Sequence, residues 1–160
     1  MTIATLERMK RLKRHQKSTD EQPREPNLLS DREVAVIKQK LALPHRTEAD
    51  WIPVKELLKD HDLIVIEPAQ KTKAYRAFRH ILWYSGCFLA FTSIAESRRF
   101  ITELNQKYGY MIFKISSASI SDLMDLSDAC DTPLVIDWND SGTMLLYQNG
   151  RLRASILTKV

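Results

Sequence analysis

The stretch that decides the fold is "RHILWYSGCFLAFTSIAESRRF", residues 79–100. It contains two short runs of apolar, strand-forming residues, "HILWY" and "CFLAF", which are separated by Ser85 and Gly86. Two turn residues that include glycine, placed between such runs, predict a β-hairpin. Ser93 then stands at an N-cap position with Glu96 three residues later. This capping box predicts that a helix begins directly after the hairpin.

The segments before this stretch predict two helices and a strand. "SDREVAVIKQKLAL" begins with the same capping box, Ser30 and Glu33, and "DWIPVKELLKD" places Asp50 as a cap and Pro53 in the first turn of a second helix. "LIVIEP" is a short apolar run closed by proline, which is typical of a buried strand. "KTKAYRAFRH" fits either a helix or an irregular loop.

The segments after it alternate again between strands and helices. "YMIFKIS" predicts a strand after Gly109 ends the helix, and "SISDLMDLSDAC" predicts another helix. "PLVIDW", "TMLLY" and "LRASIL" predict three last strands, the final two joined by an Asn-Gly turn. The predicted fold is therefore α/β or α+β, a single mixed sheet with hairpins and two crossover helices, preceded by two N-terminal helices.

The run "CFLAFTSIAESRRF", followed by "IFKISSASISDLMDL" and "PLVIDWNDSG", resembles the N-terminal domain of the SseB family over residues 63–150. Phe91, Thr92 and Ser93 carry the resemblance, as the end of a strand followed by a helix that begins with alanine and an acidic residue. The chain differs at "VIDWND", where the family more often has an Asn-Pro step. The resemblance implies an α/β domain of a bacterial protein without a defined catalytic activity, sometimes linked to interaction or secretion systems. It implies no catalytic residue.

Length and composition indicate one domain with a tail. The 160 residues suffice for a single core of ordinary size. Residues 1–27 join a basic segment to the linker "STDEQPREPN" and predict a flexible arm, with a single domain at 28–160. No apolar run reaches the roughly 18 residues of a membrane span, and the N-terminus lacks the apolar region of a secretory signal, so a cytoplasmic location is expected. Cys87 and Cys130, the two cysteines, predict neither a disulfide framework nor a metal site.

Bases are concentrated in two segments. Residues 1–19 hold six bases against Glu7 alone, a net charge of +5, so the other 141 residues sum to −1 within the total of +4. The candidate residues for binding an anionic partner are Arg8, Lys10, Arg11, Lys13, Arg14, Lys17, Lys71, Lys73, Arg76 and Arg79. Bases interleaved with aromatic residues, as in "KTKAYRAFRHILWY", are typical of surfaces that bind single-stranded nucleic acid. The same aromatic residues also fit a core, and the basic arm also suits an anionic membrane or an acidic protein.

Acids are concentrated on one predicted helix. Asp122, Asp125 and Asp128 follow each other at i, i+3 spacing and would line one side of it. Met124 or Trp138, if exposed beside them, would anchor a partner protein.

Three sets of residues suggest a catalytic or metal-binding site, and each also has a structural explanation. Ser93 is better explained as a helix cap than as a nucleophile, because no adjacent base or G-x-S-x-G motif is present. His45 and His80 beside Arg76 and Arg79 form the one arrangement that suits acid–base cleavage of a phosphodiester, but surface or half-buried histidines are the favoured interpretation. The aspartates Asp131, Asp137 and Asp140 match no calcium loop and fit turns better than a cation site. No phosphate-binding glycine loop, resident cofactor or metal is predicted.

The favoured hypothesis is a non-enzymatic protein-interaction or regulatory domain of a cytoplasmic protein, for which the resemblance to the SseB family implies a bacterial secretion or accessory system. The alternative is a nucleic-acid-binding regulator that uses the basic arm and residues 71–79. A small hydrolase that uses two histidines is the third hypothesis.

Overall fold

The computed structural model describes residues 25–42, 48–70, 76–139 and 143–156. The elements, in chain order, are α1 (Asp31–Ala42), α2 (Glu48–Leu58), β1 (Asp62–Pro68), β2 (Arg76–Phe78), β3 (Ile81–Tyr84), β4 (Cys87–Ala90), α3 (Ile94–Tyr108), β5 (Phe113–Ser119), α4 (Ile120–Cys130), β6 (Leu134–Ile136), β7 (Thr143–Gln148) and β8 (Arg151–Ile156). Within the described residues no helix is long and apolar enough to cross a membrane. Most of the predicted arm, residues 1–24, lies outside them.

The predicted caps Ser30 and Ser93 are confirmed, whereas the prediction of Asp50 as a cap is wrong, because the helix already begins at Glu48. The Ser30 backbone N–H donates to Glu33 Oε1 at 2.9 Å, and the Glu33 N–H donates to Ser30 Oγ at 3.2 Å, so α1 begins with a reciprocal capping box. In α3, Ser93 Oγ accepts the Glu96 N–H at 3.2 Å and Gly109 ends the helix with a φ of 95°. Pro53 lies inside α2 rather than in its first turn.

The larger sheet has six strands in the order β2-β3-β4-β6-β7-β8. The pair β4 and β6 is parallel, and every other neighbouring pair is antiparallel. Ser85 (φ 52°) and Gly86 (φ 78°) form the predicted turn between β3 and β4, and Asn149 and Gly150 form the one between β7 and β8. Positive φ at both turn residues matches the right-handed twist of hairpin strands. Strand β2 lies in "KTKAYRAFRH", for which the sequence predicts a helix or an irregular loop, and it adds a third hairpin.

The remaining strands form a second sheet, which corrects the prediction of a single one. β1 and β5 pair with each other in an antiparallel register that joins Asp62 to Ser119 and Pro68 to Phe113. Among the described residues, the two sheets meet at one bridge, where the backbones of Ile64 and Phe91 exchange two hydrogen bonds of 2.8 Å. The mixed α+β class and the order of the predicted elements are confirmed. Pairing between distant strands, which local sequence does not encode, produces the division into two sheets.

Helices cover both faces of the strands. One core cluster holds side chains from α1, α2 and α4, including Ile37, Val54 and Leu123, and the other holds Phe100 and Leu104 of α3. Alternate residues of the same strand enter different clusters, as Leu134 and Val135 do in β6. Strands buried on both faces are read in sequence as continuous apolar runs. Helix α3 begins four residues after β4 ends, and its Arg99 contacts the backbone of Trp138 just after β6, so the first turns of α3 lie near the ends of both strands.

Candidate functional site

Buried polar side chains meet where the parallel strands β4 and β6 end. Asp137 follows β6 directly and is only 3% exposed, and Thr92 lies just beyond β4 and is also buried. Thr92 donates its backbone N–H to Asp137 Oδ1 at 2.8 Å and its hydroxyl to Oδ2 at 2.6 Å. The carboxyl ends of neighbouring parallel strands are the usual place for ligand sites in α/β folds. The Thr92–Asp137 pair, here called the strand-end pair, is therefore the first candidate for chemistry.

Burial sets the protonation behaviour of this carboxyl group. Burial raises the pKa of Asp137, and the Thr92 hydrogen bonds together with the Lys38 charge oppose that rise without cancelling it. Lys38 Nζ lies 3.9 Å from Asp137 Oδ2 and 2.6 Å from Glu96 Oε1. Burial also acts on Glu96, but Lys38 and Arg99 outweigh it and hold the pKa of Glu96 below its usual range.

A cavity of about 240 Å³ lies beside the strand-end pair. Its charged lining residues are Lys38, Glu96, Arg99 and Asp137. Arg99 donates to Glu96 Oε2 at 3.1 Å, to Glu103 Oε1 at 3.0 Å and to the Trp138 carbonyl oxygen at 2.8 Å. The two bases thus contact the carboxylates that line the cavity, which is the arrangement of a charge network that ties α1, α3 and the end of β6 together. This geometry supports a scaffolding role for the junction.

A different surface is exposed and apolar. Residues 108–115, from the end of α3 into β5, include Tyr108, Tyr110, Ile112 and Ile115, all of which are exposed, Tyr110 by 85%. Residues 114–117 in the middle of β5 are also exposed. Among the described strands, β5 is hydrogen-bonded to β1 alone. An edge strand with one neighbour presents unpaired backbone N–H and C=O groups on its other side.

The acidic residues of α4 are exposed as the sequence predicted, but their expected aromatic anchor is not. Asp122, Asp125 and Asp128 lie on the surface, and Asp128 accepts a hydrogen bond from the Tyr147 hydroxyl at 2.8 Å. Met124 is half-buried and packs against the core. Trp138 is only 5% exposed, and its ring meets that of Tyr84 edge to face at 5.3 Å. The expectation that Trp138 anchors a partner is therefore wrong, because the turn after β6 directs it into the α3 core.

Most of the predicted basic surface lies outside the described residues. These positions are Arg8, Lys10, Arg11, Lys13, Arg14, Lys17, Lys71 and Lys73. Arg76 is exposed on β2, where its guanidinium lies 5.8 Å from the centroid of the Trp83 ring. Arg79 is half-buried in the turn after β2, with a φ of 54°. Both of these bases thus belong to the β2–β3 hairpin. The aromatic residues of this hairpin, Phe78 and Trp83, pack against the core.

The described residues support neither the catalytic pair of histidines nor the aspartate cation site. His80 Nδ1 lies 2.7 Å from Glu67 Oε1, whereas His45, its proposed partner, lies outside the described residues. Within the described part of the chain no three His, Cys, Asp or Glu side chains converge on a position that suits a metal ion. Asp140 lies outside that part, and Asp131 is the C-cap of α4.

Sequence reasoning missed the exposed surface at β5. The sequence predicts one strand over "YMIFKIS", whereas the strand begins at Phe113 and Tyr110 and Ile112 before it are exposed. The one signal in the sequence was the run "ISSAS", which lacks the regular apolar alternation of a half-buried strand.

Comparison of the chain with protein-family models, with curated proteins and with solved structures finds no match.

Proposed function

We propose that this protein is a non-enzymatic interaction domain that binds an extended segment of a partner protein along strand β5. The observation that carries the proposal is the exposed edge of β5 together with the exposed apolar side chains of residues 108–115. An added strand pairs its backbone with such an edge and places alternate side chains against the neighbouring apolar surface. Here Tyr110, Ile112 and Ile115 provide that apolar surface.

The composition of β5 supports this role. Soluble proteins protect exposed edges with charges, prolines or bulges, since an open edge pairs with other chains. β5 reads "FKISSAS", so Lys114 is its one charged residue, and its small side chains leave the backbone accessible. Exposed apolar groups beside an accessible edge stabilise a bound strand by removing apolar area from water, about 25 cal/mol for each Å².

The charge next to the edge favours a basic partner segment. α4 follows β5 without a gap and exposes Asp122, Asp125 and Asp128. Charges at the rim of an interface mainly select partners and speed their encounter. The preferred ligand is thus an extended apolar segment with lysine or arginine at one end, and the resemblance to the SseB family favours a bacterial cytoplasmic setting for it.

Peptide selection tests the proposal without a known partner. Random peptides displayed on phage are selected on the full chain, and hydrogen–deuterium exchange is measured with and without a selected peptide. We expect the peptides to protect amides of β5, and Ile115→Lys to weaken binding at least about tenfold by placing a charge on the apolar surface.

The matched control is Ile52→Lys, which adds the same charge at an isoleucine on α2 that is 61% exposed. It is expected to bind the peptides as the unaltered chain does. Peptides that bind Ile115→Lys with unchanged affinity, or that leave the β5 amides unprotected, contradict the proposal.

A further inference from the structure

The first described residues are held close to the last residue of β5. Asn27 donates its backbone N–H to Asp62 Oδ2 at 2.9 Å, and its carbonyl oxygen accepts the Asp62 N–H at 2.9 Å. The Asn27 side chain also donates to the Asp60 carbonyl oxygen at 2.9 Å. Asp62 in turn pairs with Ser119, where β5 ends and α4 begins. The arm thus joins the domain beside the strand whose exposed edge is proposed above to bind an extended segment.

The linker is long enough to bring the arm to that edge. Leu28 forms a bridge to Asp62, which also pairs with Ser119, so β1 lies between the start of the domain and β5. Neighbouring strands are about 4.8 Å apart, which places the outer edge of β5 about 15 Å from Leu28. Residues 18–26 span up to about 30 Å when extended. The segment that precedes them can therefore lie along β5.

The arm has the composition of the ligand proposed for β5. Residues 1–6, "MTIATL", have no charged side chain and include Thr2, Ile3 and Thr5, whose branched side chains favour extended structure. Residues 8–17, "RMKRLKRHQK", contain six bases and no acid. The arm is thus an apolar segment with lysine and arginine at one end.

The attachment point and the charges favour one orientation of the arm. Asn27 lies near the end of β5 from which α4 starts, and the exposed aspartates of α4 follow that end. Residues 8–17 are closer to Asn27 in the chain than residues 1–6, so they would meet these aspartates. Residues 1–6 would then extend toward the exposed Tyr110 and Ile112 at the other end of β5. In this orientation bases contact acids and apolar residues contact apolar residues.

We propose that residues 1–17 of the same chain occupy the exposed edge of β5, so that a partner segment binds only by displacing them. This inference rests on the function proposed for β5, since it takes the edge to be a surface that binds a strand. A short linker gives an effective concentration of about 1 mM, so an arm with a dissociation constant of about 0.1 mM occupies the edge about nine-tenths of the time. Such occupancy weakens the binding of a partner segment about tenfold.

Hydrogen–deuterium exchange of β5 in the full chain, without any peptide, tests this contact. The arm variant combines Lys10→Glu, Arg11→Glu, Lys13→Glu and Arg14→Glu, and because each reversal lowers the charge by two, residues 1–19 change from +5 to −3. The aspartates of α4 then repel the arm. We expect the β5 amides that are not bonded to β1 to exchange about tenfold faster in this variant than in the unaltered chain. Unchanged exchange overturns the inference.

Reversing charges on α4 distinguishes the contact from a general effect of charge. Asp122→Lys and Asp125→Lys together are expected to speed the exchange of the same amides, because they repel the unaltered arm. Combined with the arm variant, they are expected to slow that exchange again, since bases and acids have exchanged places. Glu56→Lys, at an exposed position of α2, is the control and is expected to leave β5 exchange unchanged. A combined variant that exchanges as fast as the arm variant alone overturns the inference.

Peptide binding separates this contact from the proposed binding of a partner. The selected peptides are expected to bind the arm variant about tenfold more tightly than the unaltered chain. If they protect β5 while the arm variant leaves its exchange unchanged, only the arm contact is overturned. If the arm variant speeds exchange but no peptide protects β5 in either chain, partner binding is overturned and the arm contact is supported. Exchange that slows as the chain concentration rises indicates the arm of a second copy and overturns a contact within one chain.

Discussion

Replacing Asp137 with alanine is expected to destabilise the fold, because it removes the acceptor of two buried hydrogen bonds. Thr92 donates both, at 2.8 and 2.6 Å, and Asp137→Ala leaves its N–H and hydroxyl without that acceptor. Each buried, unpaired group costs about 1–3 kcal/mol, and removing a desolvated carboxylate offsets part of the sum, so we expect a loss of about 2–4 kcal/mol. Urea unfolding followed by circular dichroism measures it.

The pH dependence gives a sharper test through Asp137→Asn, which keeps an acceptor for the Thr92 N–H but cannot ionise. Burial raises the pKa of Asp137 in the folded state, so between the unfolded and folded pKa values the folded chain binds more protons. The contribution of this carboxyl group to the stability of the fold is thus most favourable below its pKa in the unfolded chain, about 4, and is lost as pH rises through its pKa in the folded chain.

The stability of the unaltered chain relative to Asp137→Asn should therefore fall as pH rises from about 4. Asp125→Asn, at an exposed position of α4, is the matched control and is expected to change stability by less than about 0.5 kcal/mol. If the unaltered chain instead gains stability over Asp137→Asn with rising pH, the argument from burial is refuted.

Three further predictions follow from buried side chains. Trp138→Ala is expected to lower the free energy of unfolding by about 3–5 kcal/mol, because it empties part of the core cluster that holds Phe100 and Leu104. Ile52→Ala, at an exposed position, is expected to change it by less than about 0.5 kcal/mol, and equal effects of the two variants in urea unfolding would contradict the burial of Trp138. Burial raises the pKa of the Cys87 and Cys130 thiols, that of Cys130 to about 11, so a thiol-specific disulfide reagent near pH 8 should react slowly with the native chain and fast with the chain unfolded in urea. Rapid reaction of both cysteines in the native chain would contradict this prediction. Burial and the Asp128 carboxylate raise the pKa of Tyr147 to about 12. Asp128→Asn should therefore lower the pKa of Tyr147, as measured by ultraviolet absorbance of tyrosinate, and an unchanged titration curve would show that Asp128 does not affect this pKa.

Much of the secondary structure was predictable because its signals are local. The capping box at Ser30 and the N-cap at Ser93 act within one helical turn, and the Ser85–Gly86 turn needs only two adjacent residues with positive φ. The segment that contains β2, whose sequence fits either a helix or an irregular loop, has no such signal. Its turn residues, Arg79 and His80, adopt positive φ although neither is a usual turn former.

The candidate sites were predictable only in part. The exposure of Asp122, Asp125 and Asp128 followed from helical spacing. Asp137 was interpreted as a turn residue, and its buried pairing with Thr92 could not be anticipated, since 45 positions separate the two. The direction of Trp138 depends on the positive φ of Asp137, which the residue types around it do not encode.

The sequence by itself determined the caps that begin α1 and α3, the glycine that ends α3, the turns at residues 85–86 and 149–150, and where acids and bases are concentrated. These properties depend on residues close together in the chain. Only the tertiary structure decided that β1 leaves the larger sheet to pair with β5 and that β5 becomes an exposed edge. Each of these results from pairing between distant segments, whose stability depends on how well whole faces pack together and not on any local pattern.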